Sequence, residues 1–445
     1  MKKTATLFLL LAATALILTA CTLSLPKGKP MKLGAAPAQQ ERTPKYNYAG
    51  WIIARATIHN HSVFSDGAYE PEDVLELARR QGIAVLGFND HREGKICIGK
   101  GVCIQAGGVE KYGYRVYWDR LAKVQKIAAG QDMIVTRGIE ISSPWFYNAG
   151  MWPNVVLADQ YRHFTVYGVQ DPKILEDMPS RRNLPGWKPE VAPGDTPTQA
   201  VINYLVEHGA IVNAAHPDEV MDEWYGPGIH VLTAPRWNDV HLANLNGFAA
   251  IPNGWHQRTG QPGGLWDTAL AEYLVGMRPR PLWAFGDADF HNQKDGGSLT
   301  IGTTLFYMRE FTEDEVYRCM REGRAVALMG GKFQDVYVSE WTVTDGGAAP
   351  NPVMLGETAR LKGAPVIRFA LSKDLTEIKT KLIRNGKLVR QVDGGRLEFT
   401  DDEQGKAREP AFYRVEVEGP HPQGSTPYGP VQDSLMMVNP IFVRF

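Results

Sequence analysis

Thr57-Ile58-His59-Asn60-His61-Ser62-Val63-Phe64-Ser65-Asp66-Gly67 is the stretch on which the reading of this chain turns. The apolar run 51–58 leads into it and reads as a buried strand. Alternate side chains of a strand share a face, so His59 and His61 project together and can reach one metal ion. Asp66, a few residues into the next loop, can fold back as an oxygen ligand. An H-x-H pair alone is as much at home on a surface or in a core. The weight therefore falls on what recurs downstream.

What recurs is a strand, a polar residue at its end, and a helix. Pro71 stands where helices begin, and Val74, Leu75, Leu77 and Ala78 form an apolar stripe that stops at Gly82. The strand 83–88 runs into Asn89-Asp90-His91, and a strand opening at 133–135 ends in Arg137-Gly138-Ile139-Glu140. Between them a helix is expected around 116–129. His163 opens a short strand through Gly168, and a helix over 198–209 precedes a strand, 210–215, that delivers His216-Pro217. A candidate strand at 247–251 and a helix at 265–277 follow; then the strand 281–285 ends in Gly286-Asp287-Ala288-Asp289-Phe290-His291. A helix at 312–324 closes the series. This alternation predicts a parallel α/β fold, a TIM-like barrel, with its site at the strand C-terminal ends.

Beyond about Gly331 the apolar period changes to two, with strands expected at 336–343, 366–371, 378–383, 387–392, 412–417 and 440–443. Asn385-Gly386 between two of them is a hairpin signal. The organisation read from the chain is a signal segment, 1–20, a tether, 21–50, the barrel, 51–330, and a small sandwich-like all-β domain, 331–445.

At the N-terminus, Lys2 and Lys3 precede an apolar run and then Leu18-Thr19-Ala20-Cys21, the shape of a secretory signal ending in a bacterial lipobox. The expectation is an exported protein anchored to the membrane through acylated Cys21, on the periplasmic face or outer membrane of a Gram-negative cell envelope. Cys97 and Cys103 lie close together in a Gly-rich loop and are expected to pair in an oxidising compartment, and Cys319 reads as a buried thiol. A net charge of −1 with no basic stripe argues against a nucleic-acid partner. No G-x-S-x-G elbow or P-loop is present, which turns the reading away from serine hydrolases and nucleotide motors.

Collected in order, the strand-end residues are His59, His61, Asp66, Asp90, His91, Glu140, His163, His216, Asp289 and His291. Six of the eleven histidines fall in this set. Nitrogen and oxygen donors without sulfur suit Zn, Mn or Fe, and Glu140 can bridge two ions. His208 sits where a helix C-terminus favours a cation. His230, His241 and His256 read as exposed or structural, with His256 a candidate pocket residue. Arg137 and Arg162 are candidates for an anionic substrate or for salt bridges. Trp145, Trp152, Trp224, Trp237 and Trp255 are candidates to cover the barrel mouth.

The motif order H-x-H, D-H, G-x-E, H, H-P, D-x-H over about residues 51–330 resembles the polymerase and histidinol phosphatase (PHP) domain. The C-terminal Tyr413-Arg414-Val415-Glu416-Val417 and Asn439-Pro440-Ile441 resemble the carbaryl-hydrolase-like branch of that superfamily. The resemblance implies a distorted (β/α)7 barrel with two or three divalent ions held by His59, His61, His91, Glu140, His163, His216, Asp289 and His291. Asp66 takes a loop position that is His or Asp in the family. Asp90 is implied in a hydrogen-bonding role behind a ligand or a bound water. The chain departs from the family at Gly286-Asp287-Ala288, where Gly-Ser is common, and at 251–254, which lacks an acidic residue. The implied chemistry is attack by a hydroxide bridged between metals, with Asp90, His216 and Asp287 as catalytic candidates and His216 or Asp287 protonating the leaving group. The expected function is a metal-dependent phosphoesterase acting on a small-molecule ester. The alternatives are a carboxylic ester, amide or carbamate hydrolase, and a non-catalytic glycan- or ligand-binding lipoprotein.

Overall fold

The structure, a computed structural model, describes residues 27–29, 31, 44–98, 102–104, 107–142, 145–180, 186–225, 228–251, 259–293, 298–329, 333, 335–347, 352–420 and 433–445. The apolar leader, Cys21 and most of the tether lie outside the described residues, as do Trp255 and His256.

Seven strands build the first part: β1 Trp51–Thr57, β2 Val85–Phe88, β3 Ile134–Ile141, β4 Phe164–Tyr167, β5 Ile211–Ala214, β6 Gly247–Ile251 and β7 Trp283–Gly286. They neighbour one another in sequence order within a single sheet. The connecting helices α1 Pro71–Arg80, α2 Tyr114–Ala129, α3 Thr196–Glu207 and α4 Leu265–Leu274 each bury an apolar stripe. In α1 the stripe is Val74, Leu75, Leu77 and Ala78, with Glu72 and Asp73 in the first turn and Arg79 and Arg80 in the last, signs that suit the helix dipole.

Two features differ from the barrel expected. β4 runs antiparallel to both β3 and β5, while the β1–β2, β2–β3, β5–β6 and β6–β7 pairs are parallel. Among the described residues the strands also do not close into a hydrogen-bonded ring. The chain just past β7 meets the chain just past β1 through a single parallel bridge, Asn60 with Phe290, with His61 N–H donating to Phe290 O at 2.9 Å. On its other side β1 pairs with a strand absent from the sequence reading, β8 Gly302–Met308, and β8 pairs with β9 Ala325–Met329. Both are buried along their whole length, which leaves no alternation to read. Helix α5 Glu313–Glu322 joins them, capped by Thr312 accepting from Glu315 N and ended by Gly323 in the left-handed region. β7 lies so close to β8 that a Cβ on Gly286 would stand 1.9 Å from Thr303 O. Only glycine allows that approach.

The C-terminal region adds strands both to this sheet and to a second one. In chain order they are β10 Val338–Thr344, β11 Val366–Leu371, β12 Lys379–Arg384, β13 Lys387–Asp393, β14 Arg396–Thr400, β15 Ala411–Pro420 and β16 Asp433–Arg444. β9 pairs with β16, and the order continues β16-β15-β12-β13. β10, β11 and β14 form a separate three-stranded sheet. The β12–β13 turn is Asn385-Gly386, both at positive φ, as its sequence predicts. Strand alternation divides the shared sheet between two cores. Ala54, Ala56, Phe306 and Ala327 point to the helices, whereas Trp51, Ile53, Leu305, Tyr307, Val326 and Leu328 face Trp341, Ile367, Phe369 and Val415. The two cores therefore meet across one continuous sheet.

Arg414 fastens the two parts. Fully buried, it holds both oxygens of Asp267 on α4, Glu416, and Gly260 O at 3.1 Å, with Trp266 under its guanidinium. Asn439 bridges Ala284 in β7 (2.8 and 3.2 Å) and Ala325 O in β9 (3.0 Å). Removing one partner of a buried, hydrogen-bonded ion pair strands the other, at a cost of about 3–5 kcal/mol. Arg414→Ala is accordingly expected to lower the urea midpoint of unfolding by that equivalent. An unchanged midpoint would show that the two parts do not depend on this tie.

Candidate metal centre

The candidate residues converge on one rim of the sheet. His59 and His61 follow β1, His91 follows β2, Glu140 lies within β3, His216 follows β5, and Asp287, Asp289 and His291 follow β7. His163 precedes β4, so it stands at a strand N-terminus, unlike the arrangement expected from sequence. The antiparallel direction of β4 is what returns it to the common rim. In the G-x-E motif, a Cβ on Gly138 would stand 2.7 Å from Val166 O, so glycine lets β3 and β4 approach beside Glu140. His216 and Asp289 both hold positive φ, 22° and 44°, a strained conformation that persists where surroundings over-determine it.

Glu140, with no exposure, is the hub. One oxygen, Oε2, lies 2.9 Å from His91 Nδ1 and 3.4 Å from Nε2 of both His59 and His61. The other, Oε1, lies 3.1 Å from His163 Nδ1 and 3.2 Å from His216 Nε2. Asp289 Oδ1 adds contacts of 3.1 Å to His61 Nε2 and 3.4 Å to His59 Nε2. Asp66 reaches His291 at 3.3 Å and His61 and His91 at 3.5 Å.

These atoms fall into four groups whose members lie within 4.8 Å of one another: His61, Asp66, His91 and His291; His59, His61, Glu140 and Asp289; His91, Glu140 and His163; His216, Glu219 and Asp289. The spacing fits shared cations. Donors held roughly 2.1 Å from one ion at tetrahedral or octahedral angles sit roughly 3.0–3.4 Å apart. Glu140 Oε2 and His91 Nδ1, though 2.9 Å apart, are buried without a hydrogen-bond partner among the described residues. Lone pairs aimed at a common point, rather than at each other's protons, produce that pattern.

Electrostatics inside the cluster is divided. Burial works against the charge on Glu140, but His163, His59 and His91 outweigh it and hold the carboxyl well below its usual range. Burial, with His291 and His91 nearby, lowers His61 to about 3, so that imidazole is neutral and ready as a ligand. Burial also opposes charge on His291, yet Asp289 and Asp66 prevail and raise it to about 9.

Behind the ligands stand the groups that orient them. Asp287 Oδ2 meets His59 Nδ1 at 2.9 Å, on the ring nitrogen turned away from Glu140. Asp90 is fully buried and does not touch the cluster; it accepts from Ser62 N and Oγ (both 2.7 Å) and Ser65 Oγ (2.8 Å). Ser65 Oγ in turn meets His61 Nδ1 at 3.1 Å. Of the catalytic candidates read from sequence, only His216 lies inside the ligand set. Glu219 was not among the residues singled out, yet its Oε2 lies 3.0 Å from His216 Nδ1. The signal was present: Glu219 N–H donates to His216 O, a turn after His-Pro that brings position i+3 back. Tyr161 was also passed over, although it precedes His163 at the same i, i+2 spacing that joins His59 to His61.

The remaining candidates take structural places. His208 Nδ1 meets Tyr204 O at the end of α3, His230 stacks on Trp224, and His241 faces Glu272. Arg162 forks onto Asp239 and reaches Asp195. Trp152 and Trp224 are exposed on a four-stranded sheet, Tyr147–Asn148, Val155–Ala158, Ile229–Thr233 and Met221–Trp224, which has its own small core. The backbone sets Cys97 opposite Cys103 in an antiparallel pair.

No family model and no curated protein matches the chain. Among solved structures it is similar to a Bacteroides vulgatus protein described as having two domains and "containing predicted PHP-like metal-dependent phosphoesterase" (14% identity, TM-score 0.43, 92% of this chain and 100% of that one). It is similar also to a protein of Bifidobacterium adolescentis, itself named only by inference as a metal-dependent phosphoesterase (16%, 0.31, 60% and 96%). A third is an amidohydrolase from Chromobacterium violaceum with bound sulfate and no metal (16%, 0.30, 61% and 96%). With every TM-score below 0.5, the case for function rests on the residues of this chain.

Glu140→Gln is expected to lose most bound divalent metal. Asp287→Asn, which loosens His59 without removing a ligand, should weaken affinity about 10–100-fold. Elemental analysis after dialysis, and competition with a chelator, would measure both; full metal content in Glu140→Gln would refute the hub. Uptake at neutral pH must also displace the proton on His291, so affinity should rise with pH toward about 9. Calorimetry in buffers of different ionisation enthalpy reads that release, and none should come from His61.

Proposed function

We propose that this chain is a metal-dependent hydrolase, with a phosphoester as its leading substrate class. The observation that carries the reading is Glu140, a fully buried carboxylate whose two oxygens face different sets of imidazoles, as a residue bridging two ions would. His59, His61, Glu140 and Asp289 would hold one ion, His91, Asp66 and His291 would serve a second, and His163 and His216 complete the far side. Two or three Zn, Mn or Fe ions suit this all-nitrogen-and-oxygen set. When bound, they would supply water activation at neutral pH and neutralise charge building on the attacked group.

The chain's own residues set the geometry. Asp287 and the Asp90–Ser65 pair fix the rings of His59 and His61, and Glu219 fixes His216. Because both nitrogens of His216 are engaged and Asp287 is committed to His59, a ligand role for the first and an orienting role for the second are favoured over leaving-group protonation. The rim opens at Asp66 and His291, whose side chains are 51% and 27% exposed, and there the substrate approaches. Tyr225 stands near enough to Asp66 for their charges to interact, which brings the aromatic-bearing small sheet close to that opening.

The finer reading is a distorted (β/α)7 barrel of the PHP type, supported by the motif order and by the Asn60–Phe290 bridge between the first and last strand ends. Leu18-Thr19-Ala20-Cys21 supports export and lipid anchoring at the cell envelope. The test combines metal analysis of chain 22–445 with a panel of aryl phosphate mono- and diesters and aryl carboxylic and carbamic esters, with and without chelator. Chelator-sensitive phosphoester hydrolysis, lost in His59→Ala, is expected. Turnover of carboxylic or carbamic esters alone would replace phosphorus with carbon as the atom attacked. Failure to bind metal or turn over any ester would leave a binding protein.

A further inference from the structure

Tyr161 sits over the far side of the cluster. Its ring centroid is 4.4 Å from that of His163 and 5.3 Å from that of His216, with the latter pair near-stacked at 29°. Its backbone N–H donates to Thr233 Oγ1 at 3.0 Å, tying it to the small aromatic-bearing sheet. The ring stands beside the cluster, near enough to Glu219, Asp289, Glu140 and Asp66 for their charges to act on its hydroxyl. It has no hydrogen-bond partner among the described residues.

A ring packed on two imidazoles needs no hydroxyl; phenylalanine would cover them as well. A phenol O–H beside the cluster with no acceptor among the described residues is open to solvent, and a substrate oxygen can take the place of water there. The carboxylates around it are turned toward imidazoles, and the ligand set of His, Asp and Glu offers mainly acceptors. A phosphoryl or tetrahedral acyl oxygen directed at His163 and His216 meets this donor.

We propose that Tyr161 is a catalytic residue whose hydroxyl donates a hydrogen bond to a non-bridging oxygen of the substrate as negative charge grows on it. This rests on the hydrolase reading and assigns the electrophilic group to a position beside His163 and His216. No bond to Tyr161 forms or breaks, and its proton stays on the phenol.

The experiment compares metal-loaded wild type with Tyr161→Phe, which keeps the ring stack, and Tyr161→Ala, which does not. Metal content, thermal midpoint, inorganic phosphate affinity by calorimetry, the ultraviolet tyrosine difference spectrum on adding phosphate, and kcat and KM on the active ester are read for each. Tyr161→Phe should keep its metal and its midpoint, bind phosphate about 10-fold more weakly, and lose the difference band. It should lose about 100-fold or more in kcat with a smaller change in KM. Wild-type phosphate binding and turnover in Tyr161→Phe would overturn the proposal, whatever Tyr161→Ala does. Phosphate binding that depends on the hydroxyl, without ester turnover by wild type, would support the donor while removing the hydrolase reading. A wild type that holds metal but neither binds phosphate nor turns over would end both.

Discussion

Five imidazoles stand within 3.4 Å of one carboxylate that has no contact with solvent. A charge in that position is among the costliest groups to bury, and is tolerated only where opposite charge and good geometry surround it. Much of the architecture follows from meeting that condition. The five rings come from the ends of four strands, and the chain must bring all four ends within a few ångströms of Glu140. The inverted β4 supplies one of them, His163, that a purely parallel order would have left on the opposite rim. Gly138 lets β4 close on β3 beside the hub, and Gly286 lets β7 close on β8.

Holding strand ends so tightly demands a stiff sheet, and this explains why the C-terminal strands belong to the same body as the site. β1, which carries His59 and His61, is hydrogen-bonded on one side to β2 and on the other to β8. β8 and β9 lead directly into β16, and Asn439 of β16 joins β7 and β9 across the sheet. The C-terminal part thus covers with a second apolar core the face that the helices do not cover. Trp51 and Ile53, on the strand that leads to His59, are anchored in that core, while Ala54 and Ala56 anchor in the other. The ligand strand is gripped from both faces.

How far the sequence discloses this depends on whether each feature has a local cause. The helices and most strands have one, in apolar periodicity, Pro at helix starts and Gly at ends, and Asn385-Gly386 marks its hairpin without help from the rest of the chain. The ligand candidates were legible because polar groups at the ends of apolar runs are conspicuous. β8 and β9 were not, because a strand buried on both faces has no period to show. The direction of β4 was not, because a four-residue strand carries no sign of which way its neighbours run. The roles of Asp90 and Asp287 were left open for a related reason. A carboxylate beside a histidine in sequence can ligate, orient or catalyse, and only the distances distinguish them: Asp90 spends its oxygens on Ser62 and Ser65, and Asp287 on His59.

The same distances separate a closed half of the centre from an open one. His59, His61, Glu140 and His163 are buried, and their partners are fixed by Asp287, Ser65 and the backbone of β3 and β4. Asp66 and His291 are the exposed members, on a loop and past a strand end. Solvent reaches the cluster from the open side. Enclosure at Glu140 and access at Asp66 are therefore complementary features of one site, the first supplied by the sheet and the second by the loop.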